Sequence, residues 1–210
     1  MRKELPYFNI EDSFGGNQDW FRDLMMKLGG CAAATACDTC IKMALYDNKI
    51  HLYPYEIQKL TKDEYIKFAM KMKPYLRPRM KGVNTLKLFI DGVQEYFNHV
   101  GEVDLLMEEF NGEMKVEDAA KEISIQIDNG IPIPFLLLKH KNPKFKDFIW
   151  HWFLIVGYEE FEKEFYIKVA TYGNFHWLSL NELWATGFKE KGGMIILHKI
   201  YKSHRNKKRD

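Results

Sequence analysis

The chain contains the sequence Gly29-Gly30-Cys31-Ala32-Ala33-Ala34-Thr35-Ala36, in which two glycines precede a cysteine and a run of small residues. The pattern predicts a glycine turn followed by a helix over residues 31–46, with Cys31 in its first turn. Unpaired N–H groups and the helix dipole favour negative charge at that end, so we expect a lowered pKa for the Cys31 thiol. A thiol in such a position is suited to act as a nucleophile.

A second stretch, far downstream, supplies a candidate base for this thiol. The apolar run Trp150-His151-Trp152-Phe153-Leu154-Ile155-Val156-Gly157-Tyr158 predicts a buried strand, with His151 at its start. We expect a histidine at that point to lie at the rim of a cleft. Cys31 and His151 together predict a nucleophile and its general base.

Length and composition indicate one globular domain of 210 residues, with 46% hydrophobic and 15% aromatic residues. The formal net charge of +2 is too small to indicate a nucleic-acid partner. Basic residues cluster in the last part of the chain, and we interpret the segment 201–210 as a solvated basic tail. Contact of this tail with an acidic partner or with phosphates is the alternative.

The cysteine content favours a reducing compartment. Three cysteines, all between positions 31 and 40, make a disulfide framework improbable. The first 20 residues lack the apolar segment of a signal peptide, and no window approaches the roughly 18 uninterrupted apolar residues of a membrane span. We therefore expect a cytoplasmic protein without a membrane partner; its oligomeric state is left open.

Periodicity divides the chain into a mainly helical part, residues 1–130, and a strand-rich part, residues 131–200. Predicted helices cover residues 31–46, a segment capped by Thr61 that stops near Pro74, residues 84–99 capped by Asn84 or Thr85, and Val116 to Ile127. Predicted strands cover 131–138, which we expect to begin at a sheet edge because of its prolines, the hairpin 151–158 with 165–172, and 194–200. A short helix capped by Ser179 completes the set. We expect an α+β fold in one domain of two lobes, because Cys31 and His151 lie in different parts.

The order of these features resembles the papain-like cysteine peptidases, and within them the bacterial branch related to the double-glycine leader peptidases. Four pieces carry the resemblance: Gly16-Asn17-Gln18-Asp19-Trp20, Gly29-Gly30-Cys31, the strand that begins at His151, and Tyr172-Gly173. The resemblance implies a helical lobe with the cysteine helix, a sheet lobe with the histidine, and a peptide or protein substrate in the cleft between them. It implies no metal and no organic cofactor.

Residue by residue, the resemblance makes Cys31 the nucleophile and His151 the group that takes its proton and later protonates the leaving amine. Gln18 would donate its side-chain amide to the oxyanion hole together with the Cys31 N–H, with Asn17 as the main rival for this role. The reaction implied is hydrolysis of a peptide or isopeptide bond through a thioester.

The chain departs from the family at the third catalytic position, which is normally Asn or Asp shortly before a Trp-Gly pair. With Tyr172-Gly173 in place of Trp-Gly, that position falls on Val169 or Ala170. We expect Thr171 to accept the imidazole N–H instead; Asn174 and a backbone carbonyl are the alternatives.

Other functions remain open at this point. An inactive binding module would explain the missing Asn or Asp, and a thiol acyltransferase or amidase would use the same pair on a non-peptide substrate in a small closed pocket. The pair Cys37 and Cys40 has C-x-x-C spacing, which is typical of redox or zinc sites. We favour core packing for both, since three cysteines on one helix cannot surround a metal.

Overall fold

The computed structural model describes residues 1–79 and 81–200. Its helices, in chain order, are α1 (Leu24–Gly29), α2 (Cys31–Tyr46), α3 (Lys62–Met72), α4 (Leu86–His99), α5 (Val116–Asp128) and α6 (Leu180–Trp184). Its strands are β1 (Arg2–Glu4), β2 (Asn9–Ile10), β3 (Ser13–Phe14), β4 (Leu105–Asn111), β5 (Ile133–Leu137), β6 (His151–Phe161), β7 (Glu164–Thr171), β8 (Asn174–Ser179) and β9 (Gly192–Lys199). The predicted basic tail lies outside the described residues.

The centre of the fold is an antiparallel sheet of seven strands. Six follow the order β4-β9-β5-β6-β7-β8, and β1 pairs with the second half of β6, beyond the part that β5 covers. The small ribbon of β2 and β3 stands apart from this sheet. The fold is therefore mixed α/β with an antiparallel sheet, as the α+β prediction requires.

Helices cover both faces of this sheet. Side chains alternate along a strand, so Leu136 and Trp152 pack with α2, α3 and α4 on one face, whereas Phe135 and Phe153 pack with α5 and α6 on the other. This double coverage explains why β5 and the first part of β6 are continuous apolar runs in the sequence. Within the described residues no helix is long and apolar enough to cross a membrane.

Most predicted elements are confirmed, some to the residue. Helix α2 has the predicted bounds, Thr61 accepts from the Glu64 N–H at the start of α3, and Thr85 rather than Asn84 caps α4. The β6–β7 hairpin turns at Glu162 and Lys163, whose positive φ angles of 48° and 72° suit a two-residue turn.

The prediction that β5 begins at a sheet edge is wrong. Strand β5 lies between β9 and β6. Pro134, which has no N–H to donate, is tolerated because the pairing with β9 begins only at Phe135. The edges of the six-strand path lie instead at β4 and β8, and β4 belongs to the part of the chain that was predicted to be mainly helical.

Candidate active site

A single residue, Gly30, separates α1 from α2 and places Cys31 at the first position of the second helix. The Gly30 N–H donates to the Met26 carbonyl and closes α1, while the Gly30 carbonyl accepts from the Ala34 N–H in the first turn of α2. A Cβ at Gly30 would lie 2.4 Å from the Met26 oxygen, so only glycine fits this junction.

His151 begins β6, and α2 packs against that strand. The two residues line one small cavity of about 20 Å³, which has room for roughly one water molecule. Gln18, Thr171 and Tyr172 line the same cavity. Residues from the N-terminal segment, α2, β6 and the β7–β8 turn therefore meet at one point, although up to 154 positions separate them.

The imidazole of His151 is held by Thr171. The Nε2 atom lies 2.7 Å from the Thr171 hydroxyl oxygen, and both side chains are buried. The Thr171 hydroxyl can accept from Nε2–H or donate to Nε2; in the first case Nδ1 is the nitrogen that can take a proton. Asn174, the alternative named from the sequence, pairs with Thr171 in the strand ladder and is exposed to solvent.

Tyr172 covers the imidazole, although it was not predicted from the sequence as a site residue. Its ring stacks on that of His151, with centroids 4.5 Å apart and planes inclined by 3°, and its hydroxyl oxygen lies 3.3 Å from Nδ1. Burial, and secondarily the nearby Cys31 thiolate charge, raises the pKa of Tyr172 to about 12. Its hydroxyl therefore stays protonated and can donate near the reacting thiol.

The turn that carries Tyr172 is strained and firmly attached. Tyr172 has a φ of +50° and Gly173 of +73°. The Asn17 side chain donates to the Tyr172 carbonyl at 3.1 Å, and the Gly173 N–H donates to the Gly16 carbonyl at 3.0 Å. Asn17, the alternative donor for the oxyanion hole, therefore uses its side-chain amide to bind this turn. The Tyr-Gly pair between two strands was the signal in the sequence for such a turn.

The expected lowering of the Cys31 pKa is wrong. Burial raises the pKa of this thiol, and the backbone N–H groups of Trp152, Ala32 and Cys31 offset the effect only in part. Burial also lowers the pKa of His151, to about 4. The helix N-terminus does provide the expected donors, but removal from water disfavours both charged forms more strongly. The resting pair is therefore a neutral thiol and a neutral imidazole.

Gln18 lines the cavity, and its side-chain amide already donates one hydrogen bond. Its Nε2 donates to the Lys27 carbonyl of α1 at 2.8 Å, and its Oε1 is buried without a hydrogen-bond partner among the described residues. An amide nitrogen carries two hydrogens, so one N–H remains for a second acceptor.

A buried carboxylate, Asp38, fixes the segment that leads to Gln18. Asp38 stands two turns after Cys31 on α2 and accepts from the hydroxyls of Tyr7 and Tyr65, at 2.7 and 2.8 Å, and from the Gly16 N–H. Burial raises the pKa of Asp38 to about 6, although these three donors act in the opposite direction. No signal in the sequence identified this residue, because its partners come from distant segments.

Beside this small cavity, Cys31 also borders a groove of about 850 Å³. The Cys31 side chain is buried, with 8% of the residue exposed, and it forms part of the groove lining together with Gly29, Leu138 and Trp150. The thiol therefore lies between a one-water cavity on the histidine side and a groove large enough for several residues of an extended chain.

The remaining cysteines are part of the core. Cys37 and Cys40 are fully buried free thiols, as the core-packing interpretation predicted. Burial raises the pKa of Cys37 well above its ordinary value, which makes this thiol unreactive. In the part of the chain that the structure describes, no group of three or more His, Cys, Asp or Glu side chains is placed to bind a metal ion.

Comparison with known proteins adds no assignment to this geometry. No protein-family model matches the sequence, and no curated protein is significantly similar to it.

Proposed function

We propose that the chain is a papain-like cysteine hydrolase of the cytoplasm that cleaves a peptide or isopeptide bond. One observation carries the proposal: Cys31 at the start of a buried helix lines the same small cavity as His151, and the Nε2 of His151 contacts the Thr171 hydroxyl, which orients the ring. Buried titratable groups of this kind next to a groove are typical of functional sites.

The reaction would begin from the neutral pair. As the Cys31 sulfur attacks the carbonyl carbon, His151 Nδ1 takes the thiol proton, and the carbonyl oxygen becomes an oxyanion. Collapse of this intermediate breaks the C–N bond, and Nδ1 returns the proton to the leaving amine. Water then attacks the thioester while His151 Nδ1 takes one of its protons; the C–S bond breaks, and Nδ1 returns the proton to the sulfur, which restores the Cys31 thiol and the neutral imidazole.

The oxyanion would be held by the Cys31 N–H and the second N–H of the Gln18 amide. A donor of this kind typically contributes about 2.7–4 kcal/mol in the transition state. The hydrogen bond from Gln18 to Lys27 fixes the amide in place, so no reorientation is needed when negative charge develops.

A peptide substrate fits the site better than a small acyl donor. An amidase or acyltransferase for a small substrate calls for a small pocket, whereas the groove beside Cys31 has a volume of about 850 Å³. A chain of several residues is needed to fill such a space.

The test is digestion of a mixture of peptides in water enriched in ¹⁸O, followed by mass spectrometry. We expect new C-termini that contain one ¹⁸O atom, and none with Cys31→Ala. New C-termini that carry another nucleophile in place of ¹⁸O would indicate an acyltransferase. No cleavage of any peptide by the folded wild-type protein would contradict the proposal.

A binding module is the second candidate, and the neutral resting pair favours it. A raised thiol pKa together with an imidazole pKa of about 4 is what a scaffold that has lost catalysis would show. Such a protein would bind peptides in the groove and release no new termini. The wild type and Cys31→Ala would bind these peptides equally well.

A further inference from the structure

The groove beside Cys31 exposes large apolar side chains. Met25, Leu28 and Trp150 are 45%, 73% and 46% exposed, and all three line this groove, together with the buried Leu136. A cluster of exposed apolar side chains around one concave surface is typical of a binding site.

The same groove carries excess positive charge. Arg79, Lys81 and Lys139 line it together with a single acidic residue, Glu190. The ammonium group of Lys139 lies 2.7 Å from the Glu190 carboxylate, so these two charges offset each other. Arg79, whose carbonyl accepts from the Gly82 N–H, and Lys81 supply the surplus.

The position of His151 decides which half of a substrate occupies the groove. His151 would protonate the leaving amine, and it lines the small cavity, whereas the described lining of the groove includes Cys31 but not the imidazole. On the histidine side, Thr171 and Tyr172 border a separate cavity of about 410 Å³. The leaving half of the substrate belongs to that side, so the groove holds the acyl half.

We propose that the groove selects an acyl segment that is apolar beside the scissile bond and acidic further from it. The substrate class is thus a peptide with an acidic–apolar sequence before the cleaved bond. This inference rests on the proposed function of Cys31, because the assignment of the acyl half depends on the role of His151.

Binding is measured first, with Cys31→Ala so that no peptide is consumed. Three rhodamine-labelled peptides share two leucines before the bond and an Ala-Ser amide after it, and differ only in carrying Glu-Glu, Gln-Gln or Lys-Lys before the leucines. By fluorescence anisotropy, we expect the Glu-Glu peptide to bind roughly tenfold more tightly than the Lys-Lys peptide, with Gln-Gln between them. The difference should shrink in high salt.

Charge reversal provides the matched control. Arg79→Glu with Lys81→Glu should invert the order of the three peptides. Lys121→Glu should leave it unchanged, because this exposed lysine lies on α5, which packs on the opposite face of the sheet. Equal affinities for the three peptides, or an order that the double variant leaves intact, would overturn the inference.

Cleavage by the wild-type protein separates this inference from the proposed function. Preference for the acidic peptide in binding, with no cleavage of any peptide, would support the groove assignment and contradict the hydrolase. Cleavage of all three peptides at equal rates would support the hydrolase and overturn the charge selection.

Discussion

Beside His151 lies a neutral hydroxyl, where the family that the sequence resembles has a carboxylate or an amide. The Thr171 oxygen lies 2.7 Å from Nε2, and the ring of Tyr172 covers one face of the imidazole. A hydroxyl stabilises an imidazolium less than a carboxylate does, and burial lowers the pKa of His151 to about 4. We therefore expect His151 to be neutral at rest and to carry a proton only between taking it from the thiol and giving it to the leaving amine.

Substitution of Thr171 by Val should lower both the stability of the protein and the reactivity of the Cys31 thiol. The buried imidazole N–H then has no hydroxyl to donate to, which typically costs about 1–3 kcal/mol in the free energy of unfolding. We also expect slower alkylation of Cys31 at pH 7.5, measured by peptide mass mapping. Thr171→Ser keeps the hydroxyl and should restore both quantities; a Ser variant as defective as Val would contradict the hydrogen-bonding role.

Tyr172→Phe separates the stacked ring from its hydroxyl. The ring contact with His151 survives in this variant, so the free energy of unfolding should change by less than about 1 kcal/mol. If the hydroxyl donates near the reacting thiol, we expect the rate constant for Cys31 alkylation at pH 7.5 to fall several-fold. An unchanged rate constant would assign Tyr172 a packing role alone.

At the scale of elements, the predictable parts of this fold are those with a local cause. Helix α2 was predicted with its bounds because small residues follow a glycine pair, and the β6–β7 hairpin because two apolar runs flank an acidic stretch. Strands β4 and β8 were not predicted: β4 is largely exposed and pairs with β9, which is distant in the sequence, and the first half of β8 is exposed. A strand whose formation depends on the rest of the sheet shows little hydrophobic pattern in its own sequence.

The junction between α1 and α2 gives the sharpest test at this scale. Gly30→Ala would place a Cβ 2.4 Å from the Met26 oxygen and should cost about 1–3 kcal/mol in urea unfolding. Gly29→Ala is the matched control: it lies inside α1, and its Cβ would be 3.4 Å from Pro78, an ordinary contact. Helix propensity makes this change neutral or stabilising by up to about 1 kcal/mol. Equal effects of the two substitutions would contradict the account of the junction.

At the scale of the whole molecule, the candidate site is where distant segments meet, and this explains what the sequence could and could not predict. Residue types and their order predicted Cys31 and His151, the resemblance added Gln18, and the three residues line one cavity. The charge states of the pair were not predictable, because they follow from burial. Asp38 went unnoticed for a similar reason, since Tyr7, Gly16 and Tyr65 reach it from three separate parts of the chain.

Asp38 also predicts a dependence of stability on pH. Its pKa is raised from 3.8 to about 6 in the folded state, so its favourable contribution is complete below pH 3.8 and is lost as the pH rises through 6. The difference corresponds to about 3 kcal/mol. The pKa of His151 is lowered, so its contribution has the opposite sign and is lost as the pH falls; a comparison of variants that keep His151 cancels it.

Urea unfolding between pH 4 and pH 7 measures this effect. Relative to Asp38→Asn, the wild-type protein should lose up to about 3 kcal/mol of stability across that range. Asp12→Asn, which changes an exposed carboxylate in the turn between β2 and β3, should follow the wild-type curve. Parallel curves for Asp38→Asn and wild type would show that Asp38 does not titrate as its burial predicts.

The central claim is that Cys31 and His151 work as a nucleophile and its base, and the pH dependence of iodoacetamide alkylation tests it most directly. In the native wild-type protein we expect labelling at Cys31 but not at the fully buried Cys37 and Cys40. The rate should rise with an apparent pKa at or above the ordinary value of about 8.5, because burial raises the thiol pKa. At pH 7.5, His151→Ala should slow the reaction at least about tenfold through loss of the base. Labelling of Cys31 that is equally fast with and without His151 at every pH would contradict the account.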